Sequence, residues 1–123
     1  PRDAMQGIKK FIPTEVKINY INELLKVGFD TIDVGSFVSK KMIPQLSDTA
    51  EVLNRIDISS TDSKLLVIVG NERGAEEAVS FDEVTYIGVS LILQTSINLS
   101  VCASTPLAQS ITIITLSTAV NVL

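Results

Sequence analysis

The sequence predicts an α/β fold with a parallel sheet, because short apolar runs alternate with helical patterns along the chain. Runs of β-branched and apolar residues at 31–34, 65–69 and 83–87 predict three strands. Stretches with helical patterning precede the first run and separate the others. With 123 residues, the chain can bury a core and is at most one domain of modest size.

The longest helix is predicted from Thr14 to Gly28. Pro13 and Thr14 supply its start, and Gly28 is placed to end it as a C-cap. Apolar side chains recur there at helical spacing, namely Val16, Tyr20, Leu24 and Val27, with Ile21 and Leu25 beside them.

Two shorter helices are predicted between the strands. Asp48 and Glu51 have the spacing of a capping box at the start of the second helix. Glu72 to Val79 predicts the third helix.

The strands are predicted to end in glycine turns. Thr31–Val34 is followed by Gly35, and Leu65–Val69 is followed by Gly70. The second run is apolar throughout, which is typical of a strand buried on both faces of a parallel sheet.

Composition excludes several classes of function within this chain. It has no histidine and one cysteine, Cys102, which excludes an imidazole metal site, a Ser-His-Asp triad, an internal disulfide and a cysteine zinc cluster. The net charge of −4 argues against binding to nucleic acid. Nothing in the sequence around Cys102 supplies an activating base, so we expect this thiol to be inert.

The charged residues stop before the end of the chain. All 24 of them lie in residues 1–83, and the last 40 residues carry none. Polar Ser, Thr, Asn and Gln interrupt this uncharged segment, so it holds no run of 18 apolar residues and we expect no contact with a membrane. The run Ile111–Leu116 within it has the pattern of a strand.

Arg2 and Asp3 are the first candidates for a functional site, with Gln6 close by. A carboxylate is the usual oxygen ligand of Mg²⁺ or Mn²⁺, and an arginine beside it can hold an acyl oxygen or a developing enolate. The same two residues also fit a surface ion pair, which composition alone favours.

Asp33, Ser36 and Asn71 are expected near the carboxyl ends of strands, where parallel sheets bind their ligands. Asp33 interrupts an apolar run. If its carboxylate is buried, it needs a charged partner, a metal ion or water; otherwise it faces a polar layer or solvent. Ser36 and Asn71 are expected in the segments after two strands, where both residue types are also common turn formers.

Residues 1–88 resemble hydroxymethylglutaryl-CoA lyase. Pro1–Gln6 is similar to the RDGLQ-type motif of that family, and Asn71–Gly74 to its Asn-x-x-Gly turn. Further segments follow the order and spacing of the family: Ile12–Ile18, Leu24–Gly28, Ile32–Ser39, Ile43–Asp48 and Glu51–Val52. The uncharged residues 89–123 form a second segment. The sequence does not decide whether this segment continues the same fold.

The resemblance implies a (β/α)₈ TIM barrel, of which this chain supplies only the first strands and helices. The first strand would end at Arg2 and Asp3. The implied reaction is metal-assisted retro-Claisen cleavage of 3-hydroxy-3-methylglutaryl-CoA to acetyl-CoA and acetoacetate. The implied cofactor is Mg²⁺ or Mn²⁺, and the implied assembly is a homodimer. The implied location is the cytoplasm, or the mitochondrion in a eukaryote.

The same resemblance implies roles for individual residues. Asp3 would bind the divalent cation. Arg2 would bind the acyl oxygen and stabilise the enolate, and Asp33 would be the acidic catalytic residue of the second strand. Four residues would contact the acyl-CoA substrate: Arg2, Gln6, Ser36 and Asn71.

The chain also departs from the family. The family completes its metal site with a His-x-His pair, and this chain has no histidine. A single carboxylate binds Mg²⁺ weakly, so we expect this polypeptide alone to be inactive. Two alternatives stay open: a related acyl-CoA aldol or carboxyl-transfer enzyme, and a non-catalytic half-barrel that assembles with another chain.

Overall fold

The structure is a computed structural model that describes residues 1–90 and 112–116. The elements in chain order are α1 (Arg2–Gln6), α2 (Thr14–Val27), β1 (Thr31–Phe37), a 3₁₀ turn (Pro44–Leu46), α3 (Thr49–Arg55), β2 (Lys64–Val69), α4 (Glu72–Ala78), β3 (Val84–Ser90) and β4 (Thr112–Leu116). Cys102 lies outside the described residues.

The sheet has four parallel strands in the order β1-β2-β3-β4. The predicted α/β class is therefore confirmed, as are the three predicted strands and the strand pattern near residues 111–116. Neighbours in the sheet are also successive strands in the chain, with α3 and α4 as crossovers. This is the arrangement of part of a (β/α) barrel, left unclosed within the described residues.

The core lies between one face of the sheet and the helices. Ile21 of α2, Leu53 of α3 and Val67 of β2 are almost completely buried there. Alternate residues of β2, Leu66 and Ile68, are only partly buried. The prediction that β2 is buried on both faces is wrong for the described residues, because α2, α3 and α4 all pack against the same face of the sheet.

Helix α2 runs from Thr14 as predicted and ends at Gly28, which has the left-handed conformation of a C-cap (φ +81°). The buried stripe of the helix is Ile18, Ile21 and Leu25. The apolar positions predicted at helical spacing behave differently, since three of them are largely exposed: Val16, Tyr20 and Val27.

The capping box predicted from Asp48 and Glu51 is wrong. Asp48 stands at the N-cap of α3, but its side chain makes no capping hydrogen bond. Its carboxylate instead accepts hydrogen bonds from Lys17 Nζ (2.7 Å) and Thr14 Oγ1 (2.8 Å). A cation partner competes successfully with main-chain N–H groups for a carboxylate.

Two predicted element boundaries also differ. Strand β1 continues through Gly35 to Phe37, so Gly35 is not a turn and Ser36 lies in the strand, not in a loop. Arg2 and Asp3 begin the short helix α1 and do not end a strand.

Gly74 marks the closest approach of α4 to β1. A Cβ at this position would lie 2.2 Å from the main-chain oxygen of Phe37, which cannot withdraw as a flexible side chain would. We expect Gly74→Ala to lower the free energy of unfolding by about 3 kcal/mol, measured by urea denaturation.

Gly7→Ala is the matched control. A Cβ there meets nothing within 4 Å, and Gly7 has φ −82°, which alanine adopts readily. We expect a change within about 0.5 kcal/mol. Equal effects of the two substitutions would contradict the close approach at Gly74.

Candidate active site

A bulge in β1 brings Asp33 and Ser36 to the same face of the sheet. The register skips Val34, because Asp33 and Gly35 pair with consecutive residues of β2. Side chains alternate between the faces of a regular strand, so residues three apart would otherwise point in opposite directions. The extra residue of the bulge removes that difference.

Thr49 of α3 supports the bulge. Its Oγ1 accepts a hydrogen bond from the main-chain N–H of Ser36 (3.2 Å) and donates one to the carbonyl of Leu46 (2.8 Å). Thr49 packs against Gly35 so closely that a Cβ on Gly35 would lie 2.6 Å from its methyl group. The glycine thus permits the contact that satisfies the Ser36 amide.

Arg2 connects α1 to this face of the sheet. Its Nε donates to both carboxylate oxygens of Asp33, at 2.9 and 3.2 Å. Its Nη1 donates to Gln6 Oε1 (2.9 Å) and lies 3.5 Å from Asp3 Oδ1. Four of the six residues predicted for the site therefore lie together, although 31 positions separate Arg2 from Asp33.

Burial controls the electrostatics of this group. The Arg2 and Asp33 side chains are only 16% and 25% exposed, whereas that of Asp3 is 82% exposed. Loss of hydration on burial raises the pKa of Asp33 above its ordinary value, and the charge and hydrogen bonds of Arg2 offset only part of this rise. Asp33 consequently holds a proton more readily than a surface carboxyl.

Ser36 has a polar atom available for a ligand. The residue is 3% exposed, and its Oγ is buried without a hydrogen-bond partner among the described residues. Buried hydroxyls are normally hydrogen-bonded, so an unpaired one beside a candidate site suits a binding role.

Asn71 has a structural role in addition to the one predicted for it. Its Oδ1 accepts a hydrogen bond from the N–H of Gly74 (2.9 Å) and caps α4. The residue also lines a cleft of about 360 Å³ with Lys40 and Arg73. Its contact with substrate stays a prediction.

The described residues do not make a complete cation site. They contain no group of three or more His, Cys, Asp or Glu side chains placed to hold a metal ion. Asp33 is engaged by Arg2, which leaves the exposed Asp3 as a single candidate ligand. These residues alone do not fit Mg²⁺ or Mn²⁺, which need several converging oxygen atoms.

Gln45 is a residue that the sequence did not single out. It is 4% exposed, and its Nε2 donates to the carbonyls of Ile8 and Lys10 at 2.9 Å each. Its Oε1 accepts from the N–H of Ile12 (2.8 Å). The one signal that pointed to it was its place in the segment Ile43–Asp48, which carries part of the family resemblance.

Lys17 is the second such residue. It is 2% exposed, and its ammonium group donates to the Gln45 carbonyl and to Asp48. The same nitrogen lies 4.2 Å from the centre of the Phe11 ring, in a cation–π contact. A buried lysine on a helix is not distinguishable by spacing alone from a solvated one.

Comparison with known proteins finds relatives for much of the chain. No family model matches the chain. The cytoplasmic 3-hydroxy-3-methylglutaryl-CoA lyase of Rattus norvegicus is 40% identical over 80 residues, which cover 65% of this chain and 23% of the relative. The mitochondrial hydroxymethylglutaryl-CoA lyase of the same organism is 37% identical over 102 residues, covering 81% and 31%. The chain thus spans between about a quarter and a third of the length of these relatives.

Solved structures give the same result. A lyase from Acinetobacter baumannii, in complex with coenzyme A and 3-methylmalate, superposes with a TM-score of 0.69 at 37% identity, over 74% of this chain and 29% of that one. A lyase from Brucella melitensis superposes with a TM-score of 0.76 at 29% identity, over 93% and 44%.

The fold and these matches define the described part as a portion of a TIM barrel. More narrowly, the predicted resemblance is confirmed: most of the chain is similar to the N-terminal part of hydroxymethylglutaryl-CoA lyases. One match extends over 102 residues, further than the 88 residues whose motifs carry the resemblance. The division at residue 88 stays a prediction.

The Arg2–Asp33 contact predicts a specific pKa change. Arg2→Met removes the charge that lowers the pKa of Asp33, so this pKa should rise further above its ordinary value. NMR titration of the carboxyl carbons measures it. Asp57 is the internal control, because its pKa is lowered by Ser59 and should not move. An unchanged pKa of Asp33 in Arg2→Met would show that the Arg2 guanidinium and the Asp33 carboxylate are not paired.

The same shift predicts how stability depends on pH. Folding raises the pKa of Asp33. The contribution of Asp33 to the free energy of unfolding is therefore complete below its ordinary pKa of 3.8, and it is lost as the pH rises through the pKa of Asp33 in the folded protein. The free energy of unfolding of the wild type, minus that of Asp33→Asn, should therefore fall across this window. A difference that rises with pH would contradict the direction.

Proposed function

We propose that this chain belongs to an enzyme that cleaves 3-hydroxy-3-methylglutaryl-CoA to acetyl-CoA and acetoacetate. The observation that carries the proposal is the half-buried Arg2–Asp33 pair on the open face of the sheet, in a chain similar to part of lyases of this name. In the reaction the 3-hydroxyl loses its proton and the C2–C3 bond breaks. The electron pair becomes the enolate of acetyl-CoA, which then takes up a proton.

Arg2 is suited to stabilise that enolate. Asp33 and Gln6 fix its Nε and Nη1, and Nη2 has no hydrogen-bond partner among the described residues. A guanidinium held in place beforehand can donate to the thioester oxygen as negative charge develops on it. We assign this role to Arg2.

Asp33 supports the reaction in two ways. It orients the guanidinium of Arg2, and its raised pKa allows it to exchange a proton at a higher pH than an ordinary carboxyl. Ser36, on the same face of the sheet, supplies an Oγ that has no hydrogen-bond partner among the described residues and is available for the polar end of the substrate.

Asp3 is the residue of the described part that would hold a divalent cation, Mg²⁺ or Mn²⁺, with its other ligands supplied from elsewhere. Such a cation polarises an oxygen of the substrate when bound. The exposed carboxylate of Asp3 next to Arg2 supports this assignment.

We extend the proposal to the setting of the enzyme. The substrate is an acyl-CoA, with Gln6 and Asn71 as further contacts, and the assembly is a homodimer. The location is the cytoplasm, or the mitochondrion in a eukaryotic source. No helix in residues 1–90 is long and apolar enough to span a membrane.

An activity assay tests the function directly. The natural protein, with its intact mass measured in the same preparation, should release acetyl-CoA from 3-hydroxy-3-methylglutaryl-CoA when Mg²⁺ is present. Arg2→Met should lower kcat at least about 100-fold, since it removes the enolate donor. Asp62→Asn, an exposed carboxylate before β2, is the control and should keep full activity. A folded natural protein with a mass well above 13.3 kDa that releases no acetyl-CoA would exclude the lyase, and an inactive natural protein of 13.3 kDa would favour the half-barrel alternative.

The metal assignment has its own measurement. Asp3→Asn should weaken binding of Mn²⁺ to the natural protein at least about tenfold, because an amide is a poorer ligand than a carboxylate. Electron paramagnetic resonance of free Mn²⁺ gives the affinity. Asp62→Asn should leave it unchanged. Equal affinities for the wild type and Asp3→Asn would remove Asp3 from the cation site.

A further inference from the structure

We propose that Gln45 is a positioning residue for the Arg2 guanidinium. It fixes the segment that follows α1 to the loop that follows β1, and so holds α1 over the face of the sheet. The catalytic meaning of this proposal rests on the proposed function. The placement of Arg2 by Gln45 does not, and it can be measured without any reaction.

Helix α1 has few other attachments. It contains five residues, and Met5 is the one buried among them. A helix of one to two turns is unstable by itself in water, because too few hydrogen bonds compensate for the ordering of its main chain. The position of Arg2 therefore depends on whatever holds the two ends of α1.

Gln45 holds the C-terminal side of α1 through main-chain groups. Its side-chain amide has two donors and one acceptor, and all three are used, on Ile8, Lys10 and Ile12. Ile8 lies only two residues beyond Gln6, the last residue of α1. Its contact with Gln45 therefore restrains the C-terminal end of the helix closely. Contacts to main chain fix a segment regardless of its side chains.

Gln45 is itself held in place. Its carbonyl accepts a hydrogen bond from Lys17, whose ammonium group is paired with Asp48. Asp48 also accepts from Thr14 at the start of α2. Both ends of the segment between α1 and α2 are thus fastened to residues 45–48, by Gln45 at one end and by Asp48 at the other.

The consequence falls on the geometry of the ion pair. With α1 fixed, the Arg2 Nε points at Asp33 and the Nη1 at Gln6. With α1 released, the guanidinium keeps its partners Asp33 and Gln6 but loses the fixed main chain that directs its Nε at Asp33. Gln45 makes no hydrogen bond to Arg2 or Asp33, so it would act through the position of α1.

Two variants test this in the 123-residue chain. Gln45→Met keeps the approximate shape and removes all three hydrogen bonds. Gln45→Glu is milder, since it can still accept from Ile12 but cannot donate to Ile8 and Lys10. The readout is the hydrogen-exchange rate of the Arg2 Nε–H, followed by NMR, which reports the hydrogen bond to Asp33.

We expect exchange of the Arg2 Nε–H to become at least about tenfold faster in both variants, while the amide signals of the sheet stay those of a folded protein. Thr61→Val is the matched control. Thr61 lies before β2, and its substitution removes two side-chain hydrogen bonds, one donated to the carbonyl of Leu25 and one accepted from the N–H of Ser63. Asn54→Asp controls for the added charge of Gln45→Glu. Both controls should leave the hydrogen-exchange rate of the Arg2 Nε–H unchanged.

Three outcomes would overturn the proposal. One is a folded variant in which Arg2 exchanges as slowly as in the wild type. Another is equal acceleration in Thr61→Val, because Arg2 would then report only general stability. The third is loss of the folded sheet in both Gln45 variants, because Gln45 would then support the whole fold and not α1 in particular. Failure of the lyase assay touches none of these outcomes, so the two proposals can fail separately.

Discussion

The candidate site depends on the contact between Arg2 and Asp33. Each residue requires the other, because burial removes hydration from both charged groups and only their mutual attraction returns part of it. The pair also joins two elements that are far apart in sequence, the short helix α1 and the strand β1. Everything else in the site either fixes the orientation of this pair or lies beside it.

The sheet contributes through an irregularity and not through its regular pattern. A regular β1 would place Asp33 and Ser36 on opposite faces, and the bulge at Val34 places them on one. The bulge in turn needs a partner for the Ser36 amide, which Thr49 supplies, and close packing at Gly35, which only a glycine permits. Helix α3 therefore shapes the site although it contributes no side chain to it.

The sequence predicted what depends on local pattern. The α/β class, helix α2 with its cap at Gly28, the first three strands and the strand-like pattern of 111–116 follow from local residue pattern. The errors arose where a distant residue altered a local preference. Asp48 has the spacing of a capping box, but a lysine 31 positions away takes its carboxylate, and Gly35 resembles a turn although a neighbouring helix requires it within a strand.

Prediction of the site followed the same division. Arg2, Asp3, Gln6 and Asp33 were predicted as site residues from their chemistry and from the resemblance, and the structure brings these four side chains together. Gln45 was not predicted, because its hydrogen-bond partners are main-chain groups. Any residue type supplies such groups, so the sequence of residues 8–12 gives no sign of the contact. A buried amide that satisfies main-chain donors and acceptors across more than 30 residues constrains both loops at once. The residues that place a catalytic group are therefore harder to read from a sequence than the group itself, since their identity is dictated by backbone geometry that exists only after folding.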